Sequence, residues 1–280
     1  VQYVIDHCDA KFVLAEDQEQ VDKLLELKAG LPKLRKIIYD DPKGLRHYND
    51  PLLMSLEEVE RLGQAQDRER PGLLEEMVGR GRSEDVALIS YTSGTTGFPK
   101  GAMLTHANLV AAAEAIGEVE RFRPGDQVMA YLPPAWIGDV IFSLSGALVL
   151  GLTVNCPESP ATVQEGVREI GPQILFSPPR IWENLVSTVQ VKIEDSTPLK
   201  RWLYRRLMPL GVEAVRREME GEPVPLPLRL ATWLAEAFVF GALRDQLGLR
   251  RVRYAYTGGA AVGPEVYLFF RAMGVNLKQV

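Results

Sequence analysis

Cysteine is almost absent from these 280 residues. Cys8 and Cys156 stand far apart, with neither a metal-like spacing nor a disulfide framework. A reducing, cytoplasmic setting is the expectation. Histidine is scarce as well, and His7, His47 and His106 are too scattered to suggest a zinc site. A basic excess is missing: the net charge is −5 and the pI near 5.4, which argues against a general nucleic-acid binder. No signal peptide is visible. The most membrane-like run, 140–156, is interrupted by Gly146, Gly151 and two serines and is short for a span. A buried helix followed by a strand is expected there. What is present is an ordinary globular balance, 46% apolar and 25% charged, enough for one large domain or two small ones.

Short β-rich runs alternate with amphipathic helical patterns. Strands are expected at 12–14, 36–39, 86–90, 127–132, 152–155, 173–176, 251–256 and 276–280, and helices at 17–29, 106–119, 138–150, 162–170, 180–192, 199–219 and 264–273. This alternation predicts an α/β fold with largely parallel sheets flanked by helices on both faces. Ligands in such sheets bind outside the carboxyl ends of strands, which directs attention to the loops 92–101, 133–139 and 257–263. Residues 40–84 read as a less regular excursion. The proline-rich "EGEPVPLPLR", 220–229, reads as an extended connector between two helices.

The stretch "YTSGTTGFPKG", Tyr91 to Gly101, follows an apolar run. Its glycines allow close backbone approach to a ligand, and its hydroxyls can bond phosphate oxygens or ligate magnesium. Successive N–H groups in such a turn make an anion-binding concavity, and Lys100 adds a mobile positive charge. The nucleoside-triphosphatase pattern G-x-x-x-x-G-K-[ST] does not fit, because Gly101 follows Lys100. On the residues alone, a solvated Ser/Thr-rich turn stays open.

The string closely resembles the phosphate-binding signature of the adenylate-forming, or AMP-binding, enzymes: acyl-CoA synthetases, luciferases and peptide-synthetase adenylation domains. The likeness continues through "AMLTHANL". "YTGGAAVGPE", Tyr256 to Glu265, resembles the family's small-residue loop against adenine; a tight strand-to-helix turn is the alternative. "SPPRIWENL", Ser177 to Leu185, looks like an element of the long-chain fatty acyl-CoA synthetases, and "NLKQV" like the strand leading to a Tyr-Gly-x-Thr-Glu motif. One departure is clear: Trp136 in "LPPAWIGD" stands where many members carry histidine. It either lines or gates an acyl channel or is an ordinary core residue.

The resemblance implies ATP-dependent activation of a long-chain fatty acid to acyl-AMP, then transfer to CoA. It implies that Ser93, Gly94, Thr95, Thr96, Gly97 and Lys100 hold phosphate, that Thr92 also contacts Mg2+, and that Gly258, Gly259 and Ala260 hold adenine. The expected substrates are fatty acid, ATP and CoA, with no nucleic-acid partner; a homodimer is left open. The chain reads as a piece of the family's large N-terminal domain, with 1–84 a first part and 85–280 carrying both loops and a helical insertion at about 197–248. The family's Thr-Glu pair, ribose-binding aspartate, adenylation lysine and C-terminal domain fall outside it. No catalytic residue is assigned within 1–280, and the isolated chain is expected to be inactive.

Other adenylate-forming ligases, for aryl or amino acids or loading carrier proteins, and a noncatalytic nucleotide- or acyl-binding protein remain alternatives. Finally, "PLKRWLYRRLMPL" sets Leu199, Trp202, Leu203 and Leu207 on one helical face and Lys200, Arg201, Arg205 and Arg206 toward the other. That pattern suits either peripheral membrane contact or a packed helix with a solvated basic face.

Overall fold

A computed structural model describes residues 1–92 and 97–280 of the chain. They form two compact units, Val1–Ala107 and Asn108–Val280. In the first, α1 (Gln2–His7) precedes a parallel sheet of β1 (Phe12–Ala15), β2 (Lys36–Tyr39) and β3 (Leu53–Ser55), in that order. Parallel neighbours require a crossover, and α2 (Gln18–Leu27) supplies it between β1 and β2. The Asp17 carboxylate caps α2 by accepting from the Gln20 N–H at 3.1 Å. Val21 and Leu24 then pack with Leu31 and Ile37.

The stretch 40–84 contains β3, α3 (Leu56–Glu69) and α4 (Leu73–Val78). Nothing in α3 is buried, so it has no core-facing apolar face. Its start is set by Ser55, whose hydroxyl accepts from the Glu58 N–H at 3.1 Å in a Ser-x-x-Glu pattern. Next, β4 (Val86–Thr92) and β5 (Lys100–Thr105) form an antiparallel hairpin with Thr92 opposite Lys100.

Helix α5 (His106–Glu120) leads into the second unit. Its sheet is fully parallel, in the order β10–β9–β8–β6–β7. The strands are β6 (Gln127–Met129), β7 (Thr153–Asn155), β8 (Ile174–Ser177), β9 (Tyr254–Thr257) and β10 (Leu277–Gln279). Successive side chains leave a strand on opposite faces. Met129, Leu175, Ala255 and Leu277 therefore enter one core, and Val128, Ile174, Phe176 and Tyr256 another.

The second core is covered by α5 and a helical run. That run comprises α6 (Ile137–Asp139), a π-helical turn Val140–Ser145 and α7 (Gly146–Leu150). After β7, α8 (Val163–Ile170) leads to β8. The first core is covered by α9 (Pro179–Glu194), α10 (Pro198–Met219) and α13 (Pro264–Ala272). It is also packed by α11 (Leu226–Ala235), a π-helical turn Glu236–Phe240 and α12 (Gly241–Leu247). This unit is the expected α/β arrangement, with helices on both faces of a parallel sheet.

Three local readings change. The connector 220–229 is shorter than expected, because α11 already starts at Leu226. Pro227 sits in its first turn, where a missing N–H breaks no helical bond. The run Ile137–Leu150 buries only one side, leaving Leu144 and Leu148 exposed. The helix long and apolar enough to cross a membrane, among the described residues, is instead Leu226–Leu247, with mean hydropathy 1.4. Its Ala235, Val239, Phe240 and Leu247 are core residues, while Leu230, Trp233 and Phe238 face outward.

Candidate functional site

In the second unit, β6 connects to β7 on one side and β8 to β9 on the other, so the crossovers diverge between β6 and β8. Such a divergence opens a ligand crevice at the carboxyl ends of the two strands. Tyr131 and Ser177 meet there. Their hydroxyls are 2.5 Å apart, and the phenol also donates to the Phe176 carbonyl at 3.1 Å. Burial pushes the Tyr131 phenol up to about 12, so it stays neutral. Nearby, burial raises the Asp139 carboxyl above the usual range. Bonds from the Ser143 hydroxyl, at 2.9 Å, and from the Leu132 N–H partly oppose that.

The Phe176 ring fills the space beneath. A Cβ added to Gly138 would lie 2.5 Å from this ring, and one on Gly258 would lie 3.2 Å from it. Phe142 stacks against both Phe176, at 5.5 Å, and Tyr256, at 5.1 Å. The result is a closely packed aromatic cluster beneath the crevice, flanked by the two glycines. The Tyr256 phenol is raised by burial and secondarily by the neighbouring Glu120 carboxylate. Glu120, at the end of α5, accepts from Lys278 through both oxygens at 2.6 Å, which ties α5 to β10.

Trp136 opens α6 and is 45% exposed, so it is not a core tryptophan. That part is taken by Trp182, which is 0% exposed. Its Nε1–H is shared between the carbonyls of Ser177 and Tyr256, each at 3.2 Å, so it bridges the ends of β8 and β9. The sequence signal was present in "SPPRIWENL", but its role as a clamp on two strand ends was not read there.

Beyond β9, Gly258 is buried against Phe176 and Val280, whereas Gly259 and Ala260 are exposed. Gly259 has φ +88, the left-handed region that favours glycine, with open space where a Cβ would go. Gly263 then caps α13, with Pro264 at its first position. The segment is thus a strand-to-helix turn, and it also presents small, accessible backbone.

The hairpin loop belongs to the first unit. Ser93, Gly94, Thr95 and Thr96 lie outside the described residues. Thr92 and Lys100, paired across the hairpin, are both exposed, and the Thr92 hydroxyl donates to the Lys100 carbonyl at 3.5 Å. Gly97 has φ +131. A Cβ on Gly101 would lie 2.9 Å from Ile89, so glycine is needed where the strands draw together.

The sequence reading missed α1, which braces this hairpin. The Tyr3 ring stacks on Phe98 at 4.8 Å, and its hydroxyl donates to the Pro99 carbonyl at 3.1 Å. His7 Nδ1 bonds the Tyr91 hydroxyl at 2.7 Å. The i, i+4 pair Tyr3 and His7 was the available signal.

As for magnesium, Thr92 offers one hydroxyl. No group of three His, Cys, Asp or Glu among the described residues could hold a metal. Mg2+ takes a full octahedral shell, usually including a carboxylate, so these residues do not by themselves fit the ion. Both cysteines are free.

The family model described as "AMP-binding enzyme" matches residues 1–280. The chain is similar to the long-chain-fatty-acid–CoA ligase ACSBG2 of Xenopus laevis, 28% identical over 99% of this chain and 38% of that protein. It is also similar to the putative fatty-acid–CoA ligase fadD11 of Mycobacterium tuberculosis (strain CDC 1551 / Oshkosh), 32% identical over 70% of this chain and 35% of that one. The chain therefore spans under two fifths of the length of these two relatives. Among solved structures, the anthranilate CoA ligase AuaEII in complex with anthranoyl-AMP matches with TM-score 0.60 and 17% identity, over 99% of this chain and 41% of that one. The adenylation domain of a Mycobacterium chelonae carboxylate reductase matches with TM-score 0.58 and 19% identity, over 99% and 40%. These structural likenesses establish a shared fold.

Proposed function

The chain belongs to the AMP-binding enzyme family, and from that premise we propose that the whole protein converts a long-chain fatty acid to its acyl-CoA. A carboxylate oxygen attacks the α-phosphorus of ATP, and the bond to the β,γ-pyrophosphate breaks. The CoA sulfur then attacks the acyl carbonyl of acyl-AMP, its proton is lost, and AMP departs. Such phosphoryl chemistry rests on positioning and on cations that neutralise developing charge.

In this reading Gly97 and Lys100, with Ser93, Gly94, Thr95 and Thr96, hold the departing pyrophosphate. Gly258, Gly259 and Ala260 lie against adenine. Trp136, half-exposed, lines or gates the acyl channel. Mg2+, which the family resemblance implies, would supply further charge neutralisation, with Thr92 as one candidate ligand. The same reading places the protein in the cytoplasm, and the basic helix 199–207 either packs with a solvated face or makes peripheral membrane contact.

The observation that supports the acyl assignment is the 28% identity with a long-chain-fatty-acid–CoA ligase over 99% of this chain, together with the apolar aromatic floor that Phe142, Phe176 and Tyr256 give the crevice. A methylene chain gains from such a surface and a charged side chain does not. One observation favours a second reading, an amino-acid substrate: the Asp139 carboxyl near Tyr131 at the crevice could pair with an ammonium group. Against it, Asp139 already accepts from Ser143, and its burial disfavours the charged form.

Pyrophosphate release by the whole protein, measured across fatty, aromatic and amino acids, separates the readings. Release with palmitate or oleate is expected. Release with amino acids alone would overturn the assignment.

A further inference from the structure

The structure holds a second apolar recess, away from the crevice, between α9, α10 and the π-helical turn that runs into α12. Its volume is about 430 Å3, within the range of small-ligand sites. Val189, Ile193, Phe238 and Leu243 line it, and Lys192 and Lys200 stand in its wall. No carboxylate lines it, and no described side chain pairs with either lysine. The nearest acid along α9, Glu194, is engaged by Arg205 at 2.8 Å and faces Arg201 at 3.9 Å. Phe238 leaves 63% of its surface exposed, although both neighbouring turns of its helix contribute core residues. It lies in the π-turn Glu236–Phe240, a rare element that is frequent at functional positions.

An apolar recess walled by two unneutralised ammonium groups matches one ligand chemistry. We propose that it binds a single anionic amphiphile, with the acyl chain against Val189, Ile193, Phe238 and Leu243 and the acidic head between Lys192 and Lys200. A neutral lipid would leave the lysines without a partner, and a hydrophilic anion would leave the apolar wall wet. A long-chain carboxylate and an anionic phospholipid share the required chemistry. The inference stands on the recess itself and does not depend on the proposed ligase activity.

The test is photolabelling of the whole protein with a diazirine fatty acid and, separately, with diazirine phosphatidylglycerol in phosphatidylcholine vesicles, followed by peptide mapping. Label is expected on peptides spanning Val189–Ile193 or Phe238–Leu243. The Lys192→Gln/Lys200→Gln double variant should lower that labelling roughly five- to tenfold, since each exposed charge contact contributes modestly. Methyl oleate should compete less well than oleate. Both lysines are exposed, so the variant keeps the fold, which its circular dichroism and midpoint of melting will check.

Labelling by the fatty acid identifies a carboxylate ligand, and labelling only from vesicles identifies a phospholipid head. Absence of label on these peptides with both reagents, or labelling unchanged in the double variant, overturns the proposal. Label confined to crevice peptides around Tyr131, Trp136 or Ser177 would also overturn it while leaving the ligase reading intact. Loss of pyrophosphate release, measured separately, would strike the ligase reading alone.

Discussion

Trp182→Phe tests the claim that one indole N–H holds the carboxyl ends of β8 and β9 together. The side chain is 0% exposed, and its N–H is shared by the Ser177 and Tyr256 carbonyls at 3.2 Å. Phenylalanine keeps an aromatic ring but removes the donor, which costs about 1–3 kcal/mol if a buried carbonyl loses its partner. The smaller ring leaves a void costing about 1–2 kcal/mol more. The sum is about 2–5 kcal/mol.

Phe270→Leu is the control. It disturbs the edge-to-face contact with Trp182, 4.8 Å between ring centres, without touching a hydrogen bond. Its expected cost is about 1–2 kcal/mol. Urea unfolding followed by circular dichroism gives both values, provided the m-values agree. If Trp182→Phe costs no more than Phe270→Leu, the indole fills space and the clamp does not exist.

Gly138→Ala puts a methyl 2.5 Å from the Phe176 ring, so the ring must move, and a destabilisation of about 1–3 kcal/mol is expected. In the whole protein it should shift the preferred acid chain length while leaving the KM for ATP unchanged. Asp139 has a folded-state pKa above its unfolded value of 3.8. The penalty for its charge is therefore fully present above the folded pKa and relieved as the pH falls through it. Asp139→Asn should be the more stable protein at pH 7, with its advantage shrinking toward pH 4; an advantage that grows on acidification would reverse the sign. Lys100→Met, at an exposed position, should leave stability within about 0.5 kcal/mol while slowing pyrophosphate formation roughly 10- to 100-fold.

The parallel sheet of the second unit was legible because short β-rich runs alternate with amphipathic helical patterns, the signature of strands covered on both faces. Trp136 was located but not understood, since sequence cannot tell a half-exposed indole from a core one. The buried indole turned out to be Trp182. Helix α3 gives little apolar periodicity to read: it starts on a Ser55–Glu58 cap and buries nothing. The outward-facing apolar residues of Leu226–Leu247 were hidden by the prolines before them, which read as an extended connector. The aromatic cluster carries no signal in the sequence: Phe142, Phe176 and Tyr256 are far apart along the chain and meet because adjacent strands and a π-helical turn bring them to one face.

The central claim is that a carboxylate oxygen attacks the α-phosphorus of ATP. Incubating the whole protein with ATP, CoA and palmitate carrying oxygen-18 in its carboxyl group tests this directly by mass spectrometry of the nucleotide product. AMP bearing one heavy oxygen, with pyrophosphate unlabelled, is the expected result. ADP and phosphate as products, or AMP without the label, would contradict it.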